Sequence, residues 1–133
     1  MNFRKKLNSI KEIKDNQFFN KDKYAPEYIL DVIIAYLKYL ACADMILGKV
    51  EIVFSVENAL TNILEVVVKS SADNYTGTVV YYKYFPKRNS AMQTINKLQQ
   101  IFEKEQFEIK RYDNNPRYTK YYEKRFSIFI EFK

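Results

Sequence analysis

Apolar residues recur at helical intervals in the first third of the chain. Between residues 3 and 14 they fall three and four positions apart, which predicts a short amphipathic helix. The segment YILDVIIAYLKYLACADMIL is apolar nearly all round. Pro26 suits the first turn of a helix, and Gly48 suits the position just after one. We therefore predict a central core helix from about residue 26 to residue 47.

A third helical pattern lies in the second half of the chain. Ser90 and Gln93 have the spacing of a capping box, in which the two residues satisfy each other's backbone N–H groups at the start of a helix. Four apolar residues share one helical face: Ala91, Ile95, Leu98 and Phe102. This pattern predicts an amphipathic helix that packs through one face.

Alternation of apolar and polar residues, together with turn signals between the segments, predicts five strands. In chain order they are VEIVFSV, ILEVVVK, TVVYYKYF, FEIKRY and KRFSIFIEF, and the turn signals SSADNYTG and DNNP separate two of the pairs. Strands joined by short turns are expected to pair antiparallel, with helices over the apolar face. The prediction is one α+β domain over residues 1–133, in the order α-α-β-β-β-α-β-β, with a basic N-terminal segment at 1–25.

Composition indicates a globular protein outside the membrane. A chain of 133 residues has the length of one ordinary domain and can fold without a disulfide, and it has a single cysteine, Cys42. Free cysteines are usually buried, so we expect Cys42 in the core. Asp31, Lys38 and Asp44 interrupt the most apolar segment, which argues against a membrane span. With no secretory signal at the N-terminus, we expect the cytoplasm of a bacterium or of an infected host.

Several kinds of chemistry are absent from the sequence. The chain has no histidine, one cysteine and two glycines. Cysteine-rich zinc sites, Cys-His catalysis and glycine-rich phosphate loops cannot be built from this set. We therefore predict a protein that is not an enzyme and has no cofactor and no metal site. RNA cleavage by Lys, Arg and Tyr alone is the one catalytic alternative that stays open.

Positive charge is concentrated towards the two ends of the chain. The net charge of +6 divides into +4 for residues 1–24, −3 for residues 25–84 and +5 for residues 85–133. Lys, Asn, Ile, Tyr and Phe make up 63 of the 133 residues, which is the residue usage of an AT-rich genome and fits a phage or a mobile element. That bias explains lysine and tyrosine better than arginine. Three of the five arginines fall within KRYDNNPRYTKYYEKR, residues 110–125.

This window motivates our first functional hypothesis, a binding protein for nucleic acid or a nucleoprotein. Arginine donates to phosphate in a planar fork, and tyrosine rings stack on unpaired bases. Arg111, Arg117, Lys120, Lys124 and Arg125 would contact phosphates, and Tyr118, Tyr121 and Tyr122 would stack or pack. Lys110 lies beside them in the window, and Lys87 and Arg88, just before the third helix, would extend the same surface.

Three alternatives stay open. The window is also typical of a solvated hairpin whose tyrosines pack on the sheet edge. A second hypothesis is an inhibitor or adaptor of phage or plasmid type that binds a host protein through the exposed faces of TVVYYKYF and of the last strand. A third is a homodimer through an edge strand, for which the C-terminal strand is the expected edge.

Overall fold

Five strands form one antiparallel sheet, and the helices cover one of its faces. The structure is a computed structural model that describes residues 3–12, 22–43, 48–57, 62–70, 76–87, 89–112 and 122–132. The predicted α+β class and the order of elements are confirmed. The elements are α1 (Phe3–Asn8), a 3-10 helix (Ile10–Glu12), α2 (Pro26–Cys42), β1 (Gly48–Glu57), β2 (Ile63–Lys69), β3 (Thr78–Tyr84), α3 (Ser90–Lys104), β4 (Glu108–Arg111) and β5 (Tyr122–Phe132).

The strand order across the sheet is β3-β2-β1-β5-β4. Each neighbouring pair is antiparallel, as expected for strands joined by short turns. The C-terminal strand, however, lies between β1 and β4, so the prediction that it forms an edge is wrong. The face of β5 that points away from the helices explains its interior position in the sheet, because on that face Ser127 is buried and Phe129 is half-buried. The edges of the sheet are β3 and β4.

The core lies between the sheet and the helices. The alternate positions of β1, β2 and β5 that were predicted to be apolar are buried in one cluster with α2 and α3. At its centre the Phe54 and Phe126 rings stack with their centroids 4.8 Å apart. Phe102 of α3 packs edge-on or tilted against both of them and against Phe3 of α1. Aromatic contact thus joins the sheet to two helices.

An ion pair joins α1 to α2 below the surface. Lys6 Nζ lies 2.5 Å from Asp31 Oδ1, and the two side chains are 11% and 1% exposed. Asp31, which interrupts the apolar pattern of the sequence, is thus buried beside α1. Arg4 fixes the other side of α1, because its guanidinium donates to the Glu105 carbonyl and lies 4.0 Å from the Phe107 ring centre.

The C-terminal end of α2 and the exposure of Cys42 differ from the predictions. α2 begins at Pro26 as predicted but ends at Cys42, and residues 44–47 lie outside the described part of the chain. Cys42 is exposed, which corrects the expectation of a core cysteine. No helix among the described residues is long and apolar enough to cross a membrane.

The first helix of the chain and the start of α3 also differ from the predictions. The predicted helix at 3–14 is interrupted at Ser9, whose hydroxyl donates to the carbonyl of Lys5, and the chain continues as a 3-10 turn. The capping box at α3 is wrong. Ser90 is the first helical residue and its hydroxyl donates to the Lys87 carbonyl at 2.6 Å, while Asn89 caps the helix in the left-handed conformation.

Candidate binding surface on the open face of the sheet

The face of the sheet that points away from the helices extends across all five described strands. It comprises the alternate positions opposite to the buried ones, for example Glu51, Val53 and Ser55 of β1 and their partners on β2 and β5. We call this surface the open face. No described helix covers its centre, yet Val53 and Ser127, which lie opposite each other there, are both buried, and the Tyr112 hydroxyl lies 3.4 Å from the Ser127 hydroxyl.

Charges of both signs are mixed on the open face. Register and alternation place four basic residues there: Lys49, Lys69, Lys110 and Arg125. They place five acidic residues on the same face: Glu51, Glu57, Glu65, Glu108 and Glu131. One of the contacts is a surface ion pair, with Lys49 Nζ 3.3 Å from Glu108 Oε2. The described strand residues therefore give the open face almost no net charge.

Exposed apolar side chains on this face are concentrated on β3, where Val79 is 54% exposed. Tyr82 and Tyr84 share the open side of β3 and are 57% and 61% exposed. Tyr122 lies at the start of β5, opposite Glu57. Register also aligns Tyr82 with Glu65, Ser55 and Arg125 in one row across four strands. An aromatic edge thus adjoins a row that carries both a carboxylate and a guanidinium group.

Arg125 is held between two aromatic rings. Its guanidinium carbon lies 5.2 Å from the centre of the Tyr112 ring and 4.7 Å from that of Tyr122. Tyr112 is itself fixed, since it is buried and its N–H donates to the Arg125 carbonyl at 3.3 Å. The Tyr112 hydroxyl lies 3.4 Å from the Ser127 hydroxyl. Arginine stacked in this way is oriented before any partner arrives.

Two carboxylates lie near this arginine. Burial raises the pKa of the Glu65 carboxyl, and the neighbouring Glu57 carboxylate raises it further, while Arg125 acts in the opposite direction. Burial has the larger effect because it disfavours the charged form of a carboxyl group. The row from β2 to β5 is therefore an electrostatically coupled group and not a set of independent surface charges.

The other arginine of the window that the structure describes faces the opposite way. Register puts Arg111 across from Phe126, on the helix side, where its guanidinium forms an ion pair with Glu103 of α3. That contact and a hydrogen bond from Gln99 lower the pKa of the Glu103 carboxyl, Gln99 having the larger effect. Lys124 is also on the helix side, opposite Val56, and its charge acts on Glu103. Arg111 and Arg125 thus cannot act on one flat surface.

The remaining predicted site residues fall into two groups. Lys87 is exposed just before α3, and Lys110 is exposed on the open face with its ammonium 5.0 Å from the Tyr112 ring centre. Arg88, Arg117, Tyr118, Lys120 and Tyr121 lie outside the described residues.

The strand ends bring separate parts of the predicted site to one end of the sheet. β1, β3 and β4 end where β2 and β5 begin. Lys87, shortly after β3, and Arg111, the last residue of β4, therefore lie at the same end. Four strand spacings of about 4.8 Å separate their strands, or roughly 19 Å in all.

Sequence reasoning missed the contributions of Tyr112 and Glu65. Tyr112 was counted only as part of the window, and Glu65 only as the polar side of a strand. Alternation alone places Tyr82 and Tyr84 on one face and Glu65 on a polar face. The antiparallel register that aligns Tyr82 with Glu65 becomes visible only in the fold.

Other parts of the described surface offer less chemistry. No group of three or more metal-ligating side chains occurs within the described residues. An open groove of about 390 Å³ runs along α2 and is lined by Ala35, Lys38, Tyr39, Cys42 and Ala43. Its described lining has one amine, one phenol hydroxyl and one thiol, and none of these described residues is a carboxylate.

Comparison of the chain with protein-family models, curated proteins and solved structures finds no match. Arguments about function therefore depend on the chemistry of the surface itself.

Proposed function

We propose that this protein is a small, non-enzymatic binding protein that recognises another protein through the open face of its sheet. The observation that carries the proposal is the pair of exposed tyrosines, Tyr82 and Tyr84, on a face that also carries charges of both signs. Tyrosine and arginine are enriched where protein interfaces concentrate their binding energy. The residue usage of an AT-rich genome supports the further proposal that this is a phage or plasmid adaptor or inhibitor, acting on a host protein in the cytoplasm.

The charge balance favours a protein partner over a polyanion. The four basic side chains of the open face stand among five carboxylates. A phosphate backbone lying across this face would meet as much repulsion as attraction, whereas a protein surface with its own mixed charges can complement both signs. Steering by the net charge of +6 would still act at long range but would not select this face.

Arg125 is the natural anchor of such an interface. The Tyr112 and Tyr122 rings limit the rotamers that it can adopt, so less side-chain entropy is lost when a partner binds. Arg125 on β5 lies three strand spacings from Tyr82 on β3, the edge strand. A contact that includes both side chains is therefore about 15 Å wide.

Nucleic acid is the second candidate, and one observation favours it. Lys87 and Arg111 lie at the same end of the sheet, which is also the end at which β5 begins. A polyanion would therefore bind at the end of the sheet and not across its face. The sequence ranked this hypothesis first. We rank it second because Arg111 and Arg125 face opposite sides.

Affinity purification with and without nuclease tests the two candidates with one matched pair of variants. Arg125→Ala changes the open face, and Arg111→Ala removes the same side-chain type from the helix side. We expect the wild type and Arg111→Ala to retain one cellular protein after nuclease treatment, and Arg125→Ala to lose it. Circular dichroism of each variant checks that the fold is intact.

The opposite pattern would overturn the proposal. If recovery of the partner depends on intact nucleic acid and both variants weaken it equally, the open face is not the contact. Direct binding to RNA or DNA would then fall with salt by about one log unit of affinity per log unit of salt for each phosphate contact.

A further inference from the structure

The two edges of the sheet are built differently. β4 has four residues, and three of them are charged: Glu108, Lys110 and Arg111. Short length and charge are the features by which proteins prevent an edge strand from pairing with another chain. β3 has seven residues, TVVYYKY, with Lys83 as its one charge. One edge is thus protected, while the other has the length and composition of a strand that pairs.

Lys83 does not protect the β3 edge on the open face. Register pairs it with Leu64, a buried residue of the helix-covered face, and its ammonium lies 5.4 Å from the Tyr24 ring centre. A bulge opposite Val66 and Val67 is the other protective feature of β3. That bulge leaves the stretch from Tyr81 to Tyr84 in regular pairing with β2.

One hydrogen bond determines which residues of β3 direct their backbone N–H and C=O groups away from β2. The N–H of Phe85 donates to the Asn62 carbonyl at 2.6 Å, which continues the register of β3 with β2. Since successive residues of a strand direct their N–H and C=O groups to opposite sides, Lys83 and Tyr81 also face β2. Tyr82 and Tyr84 therefore direct their backbone groups away from β2, at the edge where no described strand pairs with β3.

From this asymmetry we propose that β3 pairs with β3 of a second copy of this chain, in an antiparallel, two-fold symmetric dimer centred on Tyr82. Two Tyr82 residues at the centre exchange both of their backbone hydrogen bonds. The two five-stranded sheets become one sheet of ten strands. This inference goes beyond the proposed function and does not depend on it.

Self-complementarity makes a second copy the best occupant of this edge. A two-fold axis through Tyr82 sets Lys83 opposite Tyr81 of the other copy, so the one charge of β3 never faces itself. Centring the axis on Lys83 would place two ammonium groups directly opposite each other, which disfavours that register. On the open face the Tyr82 rings lie across from each other, and aromatic pairs across strands are favourable. Closed two-fold dimers are the commonest assemblies of identical chains.

Sedimentation or light scattering of the purified full-length chain tests the proposal. Under reducing conditions, which prevent linkage through the exposed Cys42, the wild type is expected to have the mass of two 16.0 kDa chains. Tyr82→Lys and Tyr82→Glu each place like charges opposite each other at the two-fold axis, so each variant alone is expected to be monomeric. An equimolar mixture of the two is expected to recover the dimer, because lysine then faces glutamate.

A matched control separates the edge from exposed tyrosine in general. Tyr39 of α2 is 63% exposed, close to the 57% of Tyr82, and lies outside the sheet. Tyr39→Lys is expected to remain dimeric. The proposal is overturned if the wild type is monomeric up to its solubility limit, if Tyr82→Lys stays dimeric, or if the mixture of charge variants remains monomeric.

Hydrogen exchange of the wild type gives a second test, which does not require that any variant folds correctly. In the dimer the backbone N–H of Tyr82 is bonded to the other copy, so its exchange should slow as protein concentration rises. The N–H of Lys83 already faces β2, so its exchange should depend on concentration much less. Exchange at Tyr82 that is independent of concentration while the mass changes from one chain to two would place the interface elsewhere and overturn the proposal.

Discussion

Replacing Lys6 by methionine should destabilise the fold far more than replacing its neighbour Lys5. Lys6 extends from α1 to a carboxylate of α2 that is 1% exposed, with its nitrogen 2.5 Å from Asp31 Oδ1. Lys5, one position earlier on the same helix, is exposed. Lys6→Met keeps the apolar stem and removes the ammonium that faces Asp31. The variant therefore changes charge at a buried site with little change in volume.

The magnitude follows from the burial of the two groups. At an effective dielectric constant of about 20, unit charges 2.5 Å apart attract by about 7 kcal/mol before any desolvation is counted. Desolvation of each ion costs several kcal/mol, so the intact pair is close to neutral in net stability. Removing one member of a buried pair costs about 3–5 kcal/mol, because the desolvation of the other remains. Since Lys6 is 11% exposed, we expect the lower end, about 3 kcal/mol.

Urea unfolding followed by circular dichroism measures this cost in a double-mutant cycle. Asp31→Asn should cost less than Lys6→Met, because the long stem of Lys6 allows its ammonium to reach water. The double variant should lose less unfolding free energy than the sum of the two single losses, by at least about 1 kcal/mol. Lys5→Met should stay within about 0.5 kcal/mol of the wild type. The reasoning is refuted if Lys6→Met costs under about 1 kcal/mol and the two single losses add.

Three further changes test the packing, the backbone and the open face. Phe102→Ala should cost about 3–5 kcal/mol in urea unfolding, because the ring is fully buried among other aromatic rings. Gly77→Ala should lower the melting temperature more than Gly48→Ala. Both glycines have positive φ, but an added Cβ at Gly77 would lie 2.6 Å from Val67 Cγ1, whereas Gly48 has open space. The pKa of Glu65 is raised in the folded state. Folding therefore favours the protonated carboxyl, so its contribution to stability is present at low pH and is lost as pH rises through the raised folded pKa. Glu65→Gln should thus raise the urea midpoint at neutral pH, and its advantage should shrink as pH falls towards the ordinary pKa of glutamate.

The local elements were predictable because local periodicity reports which side of an element is buried. In β1 and β2 every second residue is apolar, and those residues are the ones that the helices cover. α3 was equally clear, since its four predicted apolar residues are all fully buried. Each of these predictions needed only the repeat of one element and the physical preference of apolar side chains for the core.

Strand order was not predictable, because it depends on pairing between distant segments. Nothing in the spacing of β1 indicates that it pairs with β5, which begins 65 positions after β1 ends. The sequence of β5 does contain a weaker signal of its interior position in the sheet. Ser127 and Phe129 occupy the second face of β5 where an edge strand would carry charge, and such a strand suits an interior position. By the same argument the charge on β4 identifies it as an edge, whereas the uncharged open face of β3 would not have identified the other edge.

The basic window shows how alternation refines a functional hypothesis that composition alone leaves broad. Phe126 and Ile128 face the core, so the neighbouring Arg125 has to face outward. Ile109 pairs with Ile128, so Arg111, two positions further along β4, falls on the helix side. Composition grouped these arginines as one phosphate-binding set, whereas the alternation of each strand together with the register places them on opposite faces. A surface that uses Arg125 therefore cannot include Arg111, and its other contacts come from the open-face residues, which include carboxylates, lysines and tyrosines.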